Sequence, residues 1–246
     1  MIYPDKEDVL SVLDGRRWSI ISASYSLLFA LAAFAAVDFL TASLAVYCGV
    51  LSSDELFSAS APLIWSIYRI ASRAISFFVC GALFLRLAAE LNRSDTRIFR
   101  GLWLLLCIRL YAFAAAFPFC VSMGTMLASV RRIFSSYGTS EKNAVLLILS
   151  TILTITALYF FVYLLSGIIC APSVFFRFKI TSPVKCMLIS MSAIKYHRFD
   201  LFILILTLLP KIILFPFFCG EILASLSAFC ARLLTDYEEE TANISV

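Results

Sequence analysis

The stretch that decides the fold is residues 144–171, AVLLILSTILTITALYFFVYLLSGIICA, which contains no charged residue. A helix rising about 1.5 Å per residue needs roughly 20 apolar residues to cross about 30 Å of hydrocarbon. This run exceeds that length and predicts a membrane-spanning helix from Ala144 to Ala171. The same pattern recurs upstream, from Trp18 toward Val50, from Pro62 to Ala88, and from Gly101 to Val130 with Pro118 inside. The first of these is rich in small residues (Ala30, Ala32, Ala33, Ala35, Ala36), which let helix backbones approach closely. A fifth stretch, Leu201–Leu234, is too long for one ordinary span and is interrupted by Pro210, Lys211, Pro216, Gly220 and Glu221. It reads as two short helices or one broken helix, with the break near Phe215–Gly220. The expected fold is therefore all-α, a polytopic transmembrane bundle of six hydrophobic helices, or five if the last stretch is a single broken helix. One membrane domain covers residues 1–246.

The whole composition agrees. Of 246 residues, 62% are hydrophobic and 15% charged, with a mean hydropathy of +0.96. A typical soluble domain has about 25% charged residues. A soluble enzyme, a disordered chain and a secreted disulfide scaffold are thereby excluded. The net charge of +4 is too small to imply nucleic-acid binding. The eight cysteines form no C-x-x-C pair, and seven lie in or at the ends of apolar runs. With one histidine, His197, they read as small packing residues rather than metal ligands or disulfides. No cofactor is expected. Asp5, Glu7, Asp8 and Asp14 precede the first apolar run, unlike the basic start of a cleavable signal peptide. The first hydrophobic helix is expected to be retained.

The basic residues set the expected orientation, because cytoplasmic loops collect lysine and arginine. Arg16 and Arg17 precede the first span, whereas the following loop, 51–61, has Asp54 and Glu55 and no basic residue. The next connection holds Arg86, Arg93, Arg97 and Arg100; the one after it holds Arg131, Arg132 and Lys142. Segment 172–199 holds Arg177, Lys179, Lys185, Lys195 and Arg198. With Lys6 in the N-terminal segment counted, an N-terminus in the cytoplasm places twelve basic residues inside and three outside. Six spans then bring the C-terminus inside as well; five would leave it outside.

Two segments read as amphipathic interfacial helices. In the N-terminal segment, 1–17, Asp5–Gly15 puts Val9, Leu10 and Leu13 on one face, with Pro4 and Asp5 at its start and Gly15 at its stop. In 172–199, Ser182–Phe199 spaces Val184, Met187, Leu188, Met191 and Ile194 by three and four. There Lys185, Lys195, His197 and Arg198 would face water or lipid phosphate. That helix either packs under the bundle or meets lipid directly. The end, 235–246, carries Glu238, Glu239 and Glu240 and reads as a mobile acidic tail.

Six ionisable residues remain inside the apolar runs, where charge is expensive: Asp38, Arg69, Arg73, Arg109, Lys211 and Glu221. Arg109 and Lys211 fall deep, each roughly 15 Å along the helix from a cytoplasmic charge. Asp38, Arg69 and Arg73 fall near the outer face. Arg69 and Arg73 share a helical face, so Asp38 could pair with either. Lys211 could meet Glu221 across the break, or Glu221 could meet Arg109. These charges are structural ion pairs and snorkelling side chains, or they line a polar path for an ion or small solute. No G-x-S-x-G, H-E-x-x-H, P-loop or aspartate dyad is present, so no enzyme is expected.

One resemblance adds to this. Tyr163, Ala171-Pro172, Ser182-Pro183, Ser190, Lys195, His197-Arg198, Asp200-Leu201-Phe202 and Gly220 are similar to a pattern in six-helix integral membrane proteins of unknown function from Gram-positive bacteria. Arg16–Trp18, Phe84, Leu87 and Ile98-Phe99-Arg100-Gly101 resemble the same family. The chain departs from it at Tyr196, where glycine is usual, and at Pro210-Lys211, which replace a Gly-Trp-like pair. The resemblance implies a bacterial plasma-membrane protein with this fold, and no reaction. The expected role is a scaffold or accessory subunit that binds lipid or other membrane proteins, its basic cytoplasmic face against anionic lipid. The alternative is a small transporter or channel component, favoured by the broken helix.

Overall fold

A computed structural model describes residues 4, 6–50, 62–94, 98–135, 141–213 and 215–244, and these residues form helices and turns with no strand among them. The helices are α1 (Lys6–Leu13), α2 (Arg17–Tyr47), α3 (Leu63–Leu91), α4 (Ile98–Ser135), α5 (Glu141–Gly167), α6 (Ala171–Arg177), α7 (Pro183–Ile194), α8 (Arg198–Ile213) and α9 (Phe215–Ile244). Four segments are long and apolar enough to cross a membrane: Arg17–Tyr47, Leu63–Leu91, Ile98–Ile133 and Ala144–Arg177. At about 1.5 Å per residue, the 31 residues of α2 extend to roughly 45 Å, more than a bilayer's hydrocarbon. The four long apolar runs of the sequence are thus helices. The acidic connection 51–61 and Arg97 lie outside the described residues.

The last apolar stretch differs from expectation. Helix α9 runs without interruption through Phe215–Gly220, where the break was expected. Pro216 sits in its first turn, where the missing N–H has no intrahelical partner to lose. Pro210 lies near the end of α8 rather than between helices. Residue 214 lies outside the described residues, so the count of five or six spans is not read from the helices themselves. At its far end α9 continues to Ile244 through the expected acidic tail. There the Arg177 guanidinium binds Glu238 at 2.7 Å and donates to the Thr235 hydroxyl at 3.1 Å, which gives that end a fixed partner.

The chain divides into two compact units, with boundaries that fall inside α4, α8 and α9. One unit contains Tyr3–Leu102 and Ile205–Arg232. Its core is Ile20, Ala23 and Leu87, with Leu13, Leu27, Leu91 and Leu223 against them. Gly15, at φ +68°, ends α1 and turns the chain into α2. Gly101 opens α4 against α3: a Cβ there would come within 2.6 Å of the Leu85 side chain. Helix α1 falls within the expected Asp5–Gly15 segment, but Leu10 is exposed while Leu13 packs against the core.

The other unit contains Trp103–Leu204 and the chain from Leu233. Ile168, Ala171 and Met187 form its cluster, with Cys107, Ile108, Tyr111, Leu165 and Met191 packed around them. Helix α7 buries Pro183, Cys186, Met187, Ser190, Ala193 and Ile194. The buried face is thus centred on Ser190. Val184 and Leu188, expected on that face, are exposed.

Candidate functional site

The six intramembrane charges fall into separate places. Asp38 faces α3, but the groups that meet it are hydroxyls. Ser72 donates to Asp38 Oδ1 at 2.6 Å, and the Tyr68 hydroxyl lies 3.4 Å from the same oxygen. Tyr68 also donates to Thr41 Oγ1 at 3.0 Å, and Thr41 donates to the Val37 carbonyl. Trp65 stacks on Tyr68 with centroids 5.2 Å apart. Neither Arg69 nor Arg73 is among the described partners of Asp38. The reason is register. Tyr68 and Ser72 form one i, i+4 row, and the arginines form the next, about 100° around the helix. The same hydroxyl row continues to Ser76 and Cys80, which touch at 3.9 Å.

Lys211 and Glu221 are brought together as one of the two expected pairings. Lys211 Nζ donates to Glu221 Oε1 at 2.9 Å, with both side chains about two-fifths exposed. Each charge sits in an otherwise apolar stretch and each has the other as counter-ion, so neither carries its full desolvation cost. Arg109 is exposed on α4.

A second group of polar contacts is invisible in the sequence. In the unit built on Ile20, Arg16 meets Glu90 at 3.7 Å, Arg232 meets Asp8 at 3.1 Å, and Arg93 donates to the Ser11 carbonyl at 2.8 Å. The first joins the start of α2 to the end of α3, and the other two fix α1 to the middle of α9 and to the turn after α3. Arg93 holds a left-handed φ of 50° at the end of α3, a conformation usually left to glycine.

In the other unit, the turn after α5 is held by side chains from α7 and α8. Ser190 donates to the Gly167 carbonyl at 2.8 Å, and Arg198 donates to the Tyr163 carbonyl at 2.7 Å. The Gly167 carbonyl belongs to the last turn of α5, which lacks intrahelical donors, and the Tyr163 carbonyl also accepts from the Ser166 hydroxyl at 2.8 Å. The Arg198 guanidinium lies 3.4 Å from the centre of the Tyr163 ring, a cation–π stack. Gly167 makes room: a Cβ there would lie 3.2 Å from Met191 Cγ and 3.7 Å from Arg198 Nη2. Arg198, expected to face water or phosphate, is therefore a clamp on α5. His197 Nδ1 contacts Asp200 Oδ2 at 3.2 Å. Burial pushes the Cys186 thiol up to about 11.

Among the described residues, no group of three or more His, Cys, Asp and Glu converges on a common point. Compared with family models, curated proteins and solved structures, the chain has no match.

Proposed function

We propose that the chain is a non-enzymatic, multi-pass protein of a bacterial cell membrane, a scaffold or accessory subunit that binds lipid or other membrane proteins. One observation carries this reading. The long helices expose large apolar side chains along their length, including Phe29, Phe39, Ile64, Phe113 and Ile155, while the polar groups near them close on one another. A surface of that kind has hydrocarbon or another helix as its natural neighbour. On this reading α8 and α9 supply the fifth and sixth spans, both termini are cytoplasmic, and the basic cytoplasmic face meets anionic lipid.

A small transporter or channel component is the second reading, and the Lys211–Glu221 pair in an apolar stretch is what favours it. Ion flux across vesicles containing the purified protein separates the two. The scaffold reading expects flux no greater than in empty vesicles. A flux that disappears in Lys211→Met would establish the transport reading and reject the first.

A further inference from the structure

Helix α7 has two apolar faces, and only one is covered. The covered face packs on α5 and α6 and is fastened by the Ser190 hydrogen bond to Gly167. On the other side Val184 and Leu188, one turn apart, are 61% and 58% exposed, and Tyr196 beyond them is 75% exposed. Lys185 and Lys195 stand beside these side chains, and both are exposed. Between Glu141 and Asp200 the chain contains no acidic residue at all. Among the described contacts, neither Lys185 nor Lys195 has a carboxylate; the Lys195 ammonium lies 5.1 Å from the Tyr196 ring.

These facts limit what can lie against this face. Water would leave the aliphatic groups exposed without compensation, and hydrocarbon alone would strand two ammonium groups. Both demands are met where acyl chains end and headgroups begin. The helix has 12 residues, about 18 Å, which is too short to span and suited to lying flat. The lysines choose among lipids, because each ammonium near the surface favours an anionic leaflet over a zwitterionic one. We infer that α7 lies in the membrane surface, seats Val184 and Leu188 among acyl chains, and holds anionic phospholipid headgroups with Lys185 and Lys195. This rests on the integral-membrane reading above and assigns its anionic-lipid contact to one helix and two lysines. The clamps at Ser190 and Arg198 fix the height of the helix against the bundle, so the lipid contact is built into the fold.

The test uses the full chain in vesicles of equal parts phosphatidylcholine and phosphatidylglycerol. The protein is extracted in mild detergent and the two lipids that remain bound are measured. The wild type should retain phosphatidylglycerol in excess, and Lys185→Gln with Lys195→Gln should lower that excess about fivefold for each lysine removed. The Lys185→Arg and Lys195→Arg pair should retain it. An unchanged lipid ratio in the glutamine variant, or an equal loss in the arginine variant, overturns the inference. Should the glutamine variant fail to fold, the wild type alone decides: raising salt from about 0.05 to 0.5 M before extraction must reduce the excess, because screening shortens the reach of the lysines. Alkaline carbonate washing of the same vesicles separates the two levels. Release of the protein there would reject the membrane reading itself, whereas retention with no phosphatidylglycerol excess would reject only the role of α7.

Discussion

Ser190 shows how one hydroxyl can set the position of a whole helix. It is fully buried, and its only described bond is to the Gly167 carbonyl at the end of α5. Ser190→Ala leaves that carbonyl dry and unpaired, and should cost about 1–3 kcal/mol, read as a lower unfolding midpoint in detergent. Cys186, on the same face, is also fully buried, and burial holds its thiol at about 11 against the ordinary 9.0. Maleimide near neutral pH should leave Cys186 unmodified while reacting with the exposed Cys48. The pH dependence follows from the sign of the shift. The folded state binds the thiol proton more tightly than the unfolded state does, so this contribution is complete below pH 9 and is lost as pH rises through 11. The wild type should therefore lose more stability over that range than Cys186→Ala loses. At this scale the sequence revealed where polar groups are costly and hid which partners they take. Asp38 stood out because an acid in an apolar run is rare, whereas Tyr68 and Ser72, its actual partners, are ordinary residues whose relevance depends on the rotation of α3.

Among the elements, α2 and α3 form the most extensive packing, and their shared polar row decides how they are registered. Ser72→Ala removes the short donor to Asp38 and leaves a contact at 3.4 Å; it should cost about 1–2 kcal/mol in hairpin stability. Arg73→Gln should cost under about 0.5 kcal/mol. The reverse ranking would restore the arginine as the partner of Asp38. Helices α8 and α9 carry the Lys211–Glu221 pair, for which a double-mutant cycle is the direct measurement. Lys211→Met and Glu221→Gln should each destabilise the fold, and the two together should cost at least about 1 kcal/mol less than their sum. The long helices were legible because more than twenty consecutive apolar residues admit few other structures. No break falls within Phe215–Gly220, because proline in a first helical turn is permitted and Pro216 occupies one. The apolar face of α7 was misread because both of its faces carry aliphatic residues, and periodicity alone does not say which one the α5 turn covers.

For the whole molecule the asymmetry of charge has the largest consequence. Arg16, Arg93, Arg177 and Arg198 all lie near helix ends that the positive-inside rule assigns to the cytoplasm, and each is tied to a carboxylate or a carbonyl there. The basic residues on which the proposed orientation rests therefore also fasten the chain. Orientation can then be read from the cysteines the protein already has. Cys48 follows α2 and is exposed, about 45 Å along the helix from Arg17, so a cytoplasmic N-terminus places it on the outer side. A membrane-impermeant maleimide applied to intact cells should modify Cys48, and Cys48→Ser should remove that label. A cysteine introduced at Ser94, after the return helix α3, should react only once the cells are opened. Labelling of Ser94→Cys from outside, with Cys48 protected until lysis, would invert the chain. It would also turn the lysines of α7 toward the outer leaflet, so this experiment fixes which leaflet the surface helix meets.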